Sequence, residues 1–132
     1  MTDPYVDDIE KATLDNEHFR QALFTGGQMQ LTVMSIPVGG EIGLEMHHGL
    51  DQFLRIEQGR AKVVMGPAED QLDFEQEVGD DWAIIVPGGT WHNVINVGDE
   101  PLKVYSLYSP PEHPAGTIHE TKADSDAAEH DH

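Results

Sequence analysis

The chain has 132 residues with 25 acidic and seven basic side chains, a formal net charge of −18. Surface scaling for this length leaves roughly 6,900 Å² exposed out of about 21,000 Å² unfolded, enough for one domain with a real core. So acidic a chain is repelled by nucleic-acid phosphates and by anionic membranes, and the absence of cysteine excludes disulfide scaffolds, zinc ribbons and thiol chemistry.

No run approaches the roughly 18 apolar residues of a membrane span, and Met1-Thr2-Asp3-Pro4-Tyr5 lacks the basic start of a signal peptide, so a cytoplasmic protein is expected. Residues 1–27 read as an N-terminal segment. Its first 17 residues are polar, and 15–24 carries a weak signal for a short helix or an edge strand. From Gln28 onward short β-rich runs recur between turn residues. The pattern predicts strands at 28–36, 42–48, 52–58, 60–65, 83–86, 91–97 and 102–108, with a further short strand available around Leu72, Phe74 and Val78. Such a series without long helical periodicity means an all-β sandwich or barrel. Residues 109–132 form a C-terminal extension, opening with Pro110-Pro111-Glu112-His113-Pro114 and ending, from Glu120, in a small, charged tail expected to be mobile. Residues 1–17 and 120–132 carry half of the net charge, −5 and −4. The acidity fits a salt-rich cytoplasm, where screening weakens self-repulsion, or a solubility or interaction feature.

Strand alternation places Glu45 and His47 on one face and His48 on the other. If Leu54, Ile56 and Val94 mark the interior, then Glu45, His47, Gln52 and His92 all point inward. Buried polar groups at that density need partners, which a shared divalent metal or an internal hydrogen-bond network supplies. Asp51 and His48 define a rival register on the opposite face.

The run Gly39-x5-Glu45-x-His47-x4-Gln52-x6-Gly59 resembles the first cupin motif, and Pro87-x-Gly89-x2-His92-x3-Asn96 resembles the second. The resemblance spans roughly residues 28–108 and implies a double-stranded β-helix, or jelly-roll barrel. Two positions depart in the first motif, where Glu45 stands for the usual first histidine and Gln52 for the usual glutamate. In the second, Asp81 stands where a glycine is expected six residues before Pro87. The resemblance implies metal ligation by Glu45, His47, Gln52 and His92, two imidazoles and one carboxylate with a weak amide. Zinc, manganese, iron and nickel all suit that set. Asp51–Glu57, Gly89–Val94 and His113–His119 are similar to small cupins labelled mannose-6-phosphate-isomerase-like, a label that reflects the barrel rather than the reaction.

The functional expectation is a metal-binding cupin that acts on or binds a small polar molecule, a sugar or an organic acid. An isomerase-like or oxygenase-like enzyme, a non-catalytic sensing module and a metal-free structural barrel are the competing forms, and a homodimer is expected. Among other residues, Tyr105 is the phenol considered for the cavity, Trp82 reads as core or interface, and Trp91 as a packing residue. His18 reads as surface, His113 and His119 as solvent-facing or loop-packing, and His130 and His132 as tail. Arg55 is expected to pair with Glu57 or another carboxylate.

Overall fold

In the computed structural model, which describes residues 3–130, nine strands form two antiparallel sheets. The expectation for His132 and for the side chain of His130 lies outside what is described. The strands are β1 (Arg20–Thr25), β2 (Gln30–Ile36), β3 (Asp51–Gln58), β4 (Ala61–Gly66), β5 (Phe74–Val78), β6 (Ala83–Val86), β7 (Trp91–Asn96), β8 (Leu102–Ser109) and β9 (Ile118–His119). One sheet runs β6-β3-β8-β2-β1-β9 and the other β5-β4-β7.

Register converts the alternation of these strands into a graded interior. On the larger sheet, Ile36 stands opposite Leu102, and Met34–Val104–Ile56 form the next rung. Thr32–Ser106–Leu54–Ile84 follow, and Gln30–Tyr108–Gln52–Val86 come last. The side chains therefore pass from wholly apolar to largely polar along one inner face. Across from them, β7 presents Val94 opposite Val63, then His92 opposite Met65. Met34, Ile36, Leu54, Ile56, Val63, Val94, Leu102 and Val104 form one buried cluster, each side chain contributing roughly 1.5–3 kcal/mol of transfer free energy.

The segment expected as a strand at 42–48 pairs only through one isolated bridge, Glu45 with His92, and Glu41 just before it bridges Ile95. Gly43 explains the break. Its φ of 112° leaves the extended region, and its N–H donates to Asn93 Oδ1 at 2.9 Å rather than to a strand neighbour. At the expected 15–24 element the chain makes β1, preceded by a helix, α1 (Ile9–Asp15), whose first turn is capped by the Asp8 side chain accepting from Lys11 N. A second helix, α2 (Lys122–His130), occupies the segment read as a mobile tail. There Ser125 is buried against the barrel.

Asp81 has φ 71°, a conformation in which glycine is unstrained and aspartate is one of the better tolerated alternatives. Its carboxylate accepts from Arg55 Nη2 at 3.0 Å, and Arg55 Nε lies 3.3 Å from Glu57, the pairing anticipated from sequence. Trp82, expected in core or interface, is half exposed.

Candidate metal centre

Two irregular segments meet at the polar end of the barrel. Glu45 and His92 exchange backbone hydrogen bonds at 3.0 and 2.9 Å, and Gly89 N donates to His47 O at 2.8 Å. These bonds hold His47 in place although no strand runs through it. Asp51, the rival ligand, accepts from Gly88 N at 2.9 Å and so caps the Pro87–Gly89 turn; His48 is exposed. Gly88 is obligatory there, because a Cβ would lie 2.8 Å from Leu50 O.

Glu45, His47 and His92 offer ligand atoms that all lie within 4.8 Å of one another. Glu45 Oε1 stands 3.3 Å from His47 Nε2 and 3.5 Å from His92 Nε2, within ion-pair reach but without hydrogen-bond geometry to either. The far nitrogen of each ring is held. His92 Nδ1 lies 3.0 Å from Thr90 O, an acceptor only, so Nδ1 carries a proton there and Nε2 is the ring atom turned to Glu45. His47 Nδ1 faces Glu112 Oε1 at 3.5 Å. A carboxylate or carbonyl behind each imidazole is the arrangement that orients metal-binding histidines.

Gln52 is 2% exposed and stands opposite Tyr108 on β8. Its Nε2 donates to Ser106 Oγ at 2.9 Å, which leaves Oε1 as the free end of the amide. Gln52 Oε1, His47 Nε2 and His92 Nε2 are all buried without a hydrogen-bond partner among the described residues. Each such group costs about 1–3 kcal/mol if left unmatched. Two unpartnered imidazole nitrogens, an unpartnered amide oxygen and a carboxylate are the donor types a divalent cation takes, with His47 giving up its Nε2 proton on binding, so the residues fit such an ion.

Burial pushes the Glu45 carboxyl up, but the His47 and His92 imidazoles outweigh it and hold the group well below the usual carboxylate range. Burial likewise disfavours a charged His47, yet Glu112 and Glu45 prevail and raise it to about 9. Glu112 is lowered, chiefly by His47.

The structure adds four neighbours that the sequence did not place at this centre, Tyr108, His113, Gln30 and Arg20. Tyr108, not Tyr105, faces this interior; its ring lies 6.0 Å from His47 and 5.3 Å from His113, whereas Tyr105 packs on Phe53 at 6.2 Å. Burial pushes the Tyr108 hydroxyl up, so it stays a phenol at neutral pH. His113 is half-buried beside it, held by Gln30, whose side chain bonds the backbone of Glu112 and His113. Arg20 is the fourth, and no pattern in the sequence marked it. The parity of Tyr108 with Gln52 was available from the expected strands. Asn96, the last residue of the second motif, serves structure instead: its Nδ2 donates to the carbonyls of Ile36, Pro37 and Glu100.

Residues 32–108 match the cupin domain family, and the chain belongs to it. It is 60% identical to the uncharacterized protein YrkC of Bacillus subtilis (strain 168) over 96% of this chain and 68% of that one. It is also 36% identical to protein L612 of Acanthamoeba polyphaga mimivirus, over 86% of this chain and 70% of that one. Among solved structures, BH2720 from Bacillus halodurans superposes with a TM-score of 0.93 at 56% identity, covering 96% of this chain and 99% of that one. KdgF from Halomonas sp. shares the fold alone, at 18% identity and a TM-score of 0.61 over 70% of this chain and 78% of that one. Cupins commonly bind metals and small molecules. No helix among the described residues is long and apolar enough to cross a membrane.

Proposed function

We propose that Glu45, His47 and His92 hold a divalent metal ion, with Gln52 Oε1 as a fourth, weaker ligand, and that the barrel acts on a small polar molecule, a sugar or an organic acid, at that centre. The observation that supports it is the pair of buried, unpartnered imidazole nitrogens beside the Glu45 carboxylate, with the unpartnered Gln52 Oε1 on the same inner face of β3. When bound, the ion supplies a Lewis acid for substrate oxygens. The chain's own residues do the rest. Glu112 and Thr90 fix the two imidazoles, Gln52 keeps a neutral oxygen toward the centre, and Ser106 holds that amide in orientation.

Two neutral groups stand ready for proton handling. Tyr108 is a buried phenol and therefore a donor, and His113, pushed down to about 4 mainly by burial and then by Arg20, is a neutral imidazole with an unpartnered Nε2. Glu45, if it ligates, is not free as a base, so His113 is the acceptor within this group. Zinc, manganese, iron and nickel all fit the donor set. The reading includes the cytoplasmic location and the homodimer expected from sequence; light scattering on the purified protein tests the dimer.

Metal analysis of protein purified without chelator or affinity tag tests the centre. One equivalent per chain in the wild type and none in His92→Ala is expected, while metal-free wild-type protein whose stability zinc does not change would contradict it. Turnover of sugar and organic-acid panels by the loaded protein then separates an enzyme from a binding module.

A further inference from the structure

Beyond the metal centre the polar interior continues along a line of rings. His47 meets Tyr108, Tyr108 meets His113 at 5.3 Å, and His113 meets His119 at 6.2 Å. At the end of the line stands Arg20, whose Nη1 lies 3.4 Å from His119 Nδ1 and donates to Ser125 Oγ at 2.6 Å. Arg20 is 1% exposed, and among the described residues no carboxylate pairs with it. Its Nε–H is buried without an acceptor. Two further atoms are orphaned in the same part of the interior, His113 Nε2 and Thr32 Oγ1. Thr32 stands opposite Ala22 on β2, so it shares an inner face with Arg20, two residues before Ala22 on β1.

A buried guanidinium without a counter-charge is expensive, and arginine cannot shed its proton to escape that cost. The nearby carboxylates do not relieve it: Glu112 faces His47, and Asp124 reaches His119 only through space. Burial and then the Arg20 charge keep both His113 and His119 below the ordinary imidazole range, so the cluster holds one positive charge with hydrogen-bonding groups left open around it. His113 and His119 are only half-buried, so this end of the cluster reaches the surface.

We propose that Arg20, flanked by His113, His119 and Thr32, seats the oxyanion group of the barrel's ligand, a carboxylate or phosphate, with the rest of that ligand extending past Tyr108 toward Glu45, His47 and His92. The inference rests on the reading that the barrel interior is a ligand site, and it narrows the substrate class to small anions. The side edge of a guanidinium, with Nε–H and a terminal N–H parallel, matches the two oxygens of such a group. It also accounts for a barrel that is strongly acidic overall yet keeps its one buried arginine inside.

Titration of chelator-treated protein with sodium malonate, inorganic phosphate and glycerol tests this, read on the Arg20 Nε–H resonance. A saturable shift with malonate or phosphate and none with glycerol is expected, and the tighter of the two anions identifies the source. Arg20→Lys should then bind that anion at least about tenfold more weakly by calorimetry, whereas Ser125→Ala, which cuts only the tie to α2, should bind as the wild type does. No saturable shift from either anion overturns the proposal, because water then suffices for Arg20. An Arg20→Lys affinity equal to the wild type, or an equal loss in Ser125→Ala, also overturns it, since Arg20 would then only fasten the helix. Zinc added to the same samples reports separately: zinc without anion binding overturns this inference alone, and anion without zinc binding overturns the metal centre alone.

Discussion

The two halves of the barrel interior use the same strands for opposite purposes. In the rungs built on Ile36, Met34, Ile56, Leu102 and Val104, apolar side chains fill the space and no polar atom is left over. Two rungs further on, the same β2, β3 and β8 present Gln30, Gln52 and Tyr108, and the buried atoms without partners gather around them: His47 Nε2, Gln52 Oε1, His92 Nε2, His113 Nε2, Thr32 Oγ1 and Arg20 Nε. Among the described residues the one remaining orphan, Arg55 Nε, lies outside the barrel beside Glu57. The difference separates the part that folds the chain from the part proposed to bind. The apolar end closes the interior, while the far end holds the buried polar atoms without partners, the kind of group that calls for a water, an ion or a ligand.

Substitutions on either side should break this division in different ways. The largest effect belongs to the polar end: His92→Ala should abolish zinc binding measurable by calorimetry while leaving the metal-free protein folded by circular dichroism. At the apolar end Ile56→Ala should cost about 2–5 kcal/mol in denaturant unfolding through lost burial and a cavity, with zinc affinity unchanged under conditions where the variant is folded. Comparable losses of metal affinity in both variants would erase the distinction.

Glu112→Gln removes the carboxylate behind His47 and should weaken zinc binding by about 10–100-fold, a change that competition with a chromogenic chelator would resolve. Gln52→Glu restores the charge that the family's first motif usually carries at this place and should tighten zinc binding. An unchanged affinity would take Gln52 out of the coordination sphere.

The smallest effect is a dependence of metal-free stability on pH. His47 has its folded pKa raised to about 9, so its contribution is full below the unfolded value near 6.5 and is lost as pH rises through 9. His113 is depressed to about 4, so its contribution is full above 6.5 and is lost as pH falls through 4. Metal-free protein should therefore be most stable near pH 6.5 in thermal melts, and Glu112→Gln should flatten the alkaline limb while sparing the acid one. A profile that rises steadily to pH 9 would contradict the pairing of His47 with Glu112.

Much of this was legible beforehand, for specific reasons. The strands β2, β3, β4, β6, β7 and β8 follow from alternating runs between turn residues, and the spacings mark Glu45, His47 and His92, whose ligand atoms the fold brings within 4.8 Å of one another, and Gln52, which is buried on β3. His47 reached its place by another route than expected, through the Gly89 N–H and the Glu45–His92 bridge rather than a strand. What stayed hidden depends on the terminal segments. The seven-residue α1 has too few apolar positions to show a period, and α2 reads as polar tail because Ser125 is a small residue buried by contact with Arg20. His113 and His119 sit among prolines and glycine, where only Gln30, 83 residues earlier than His113, reveals which way the chain turns. Long-range contacts of this kind leave no local pattern.

In the proposed centre His47 and His92 present Nε2 to one ion, while Nδ1 of His47 stays beside Glu112 and Nδ1 of His92 stays hydrogen-bonded to Thr90 O. Histidine side-chain nitrogen spectra recorded during a zinc titration test it directly. Both Nε2 resonances should move to metal-bound positions together at one equivalent per chain, with both Nδ1–H protons retained. Zinc that leaves either Nε2 unchanged, or that binds through Nδ1, would contradict it.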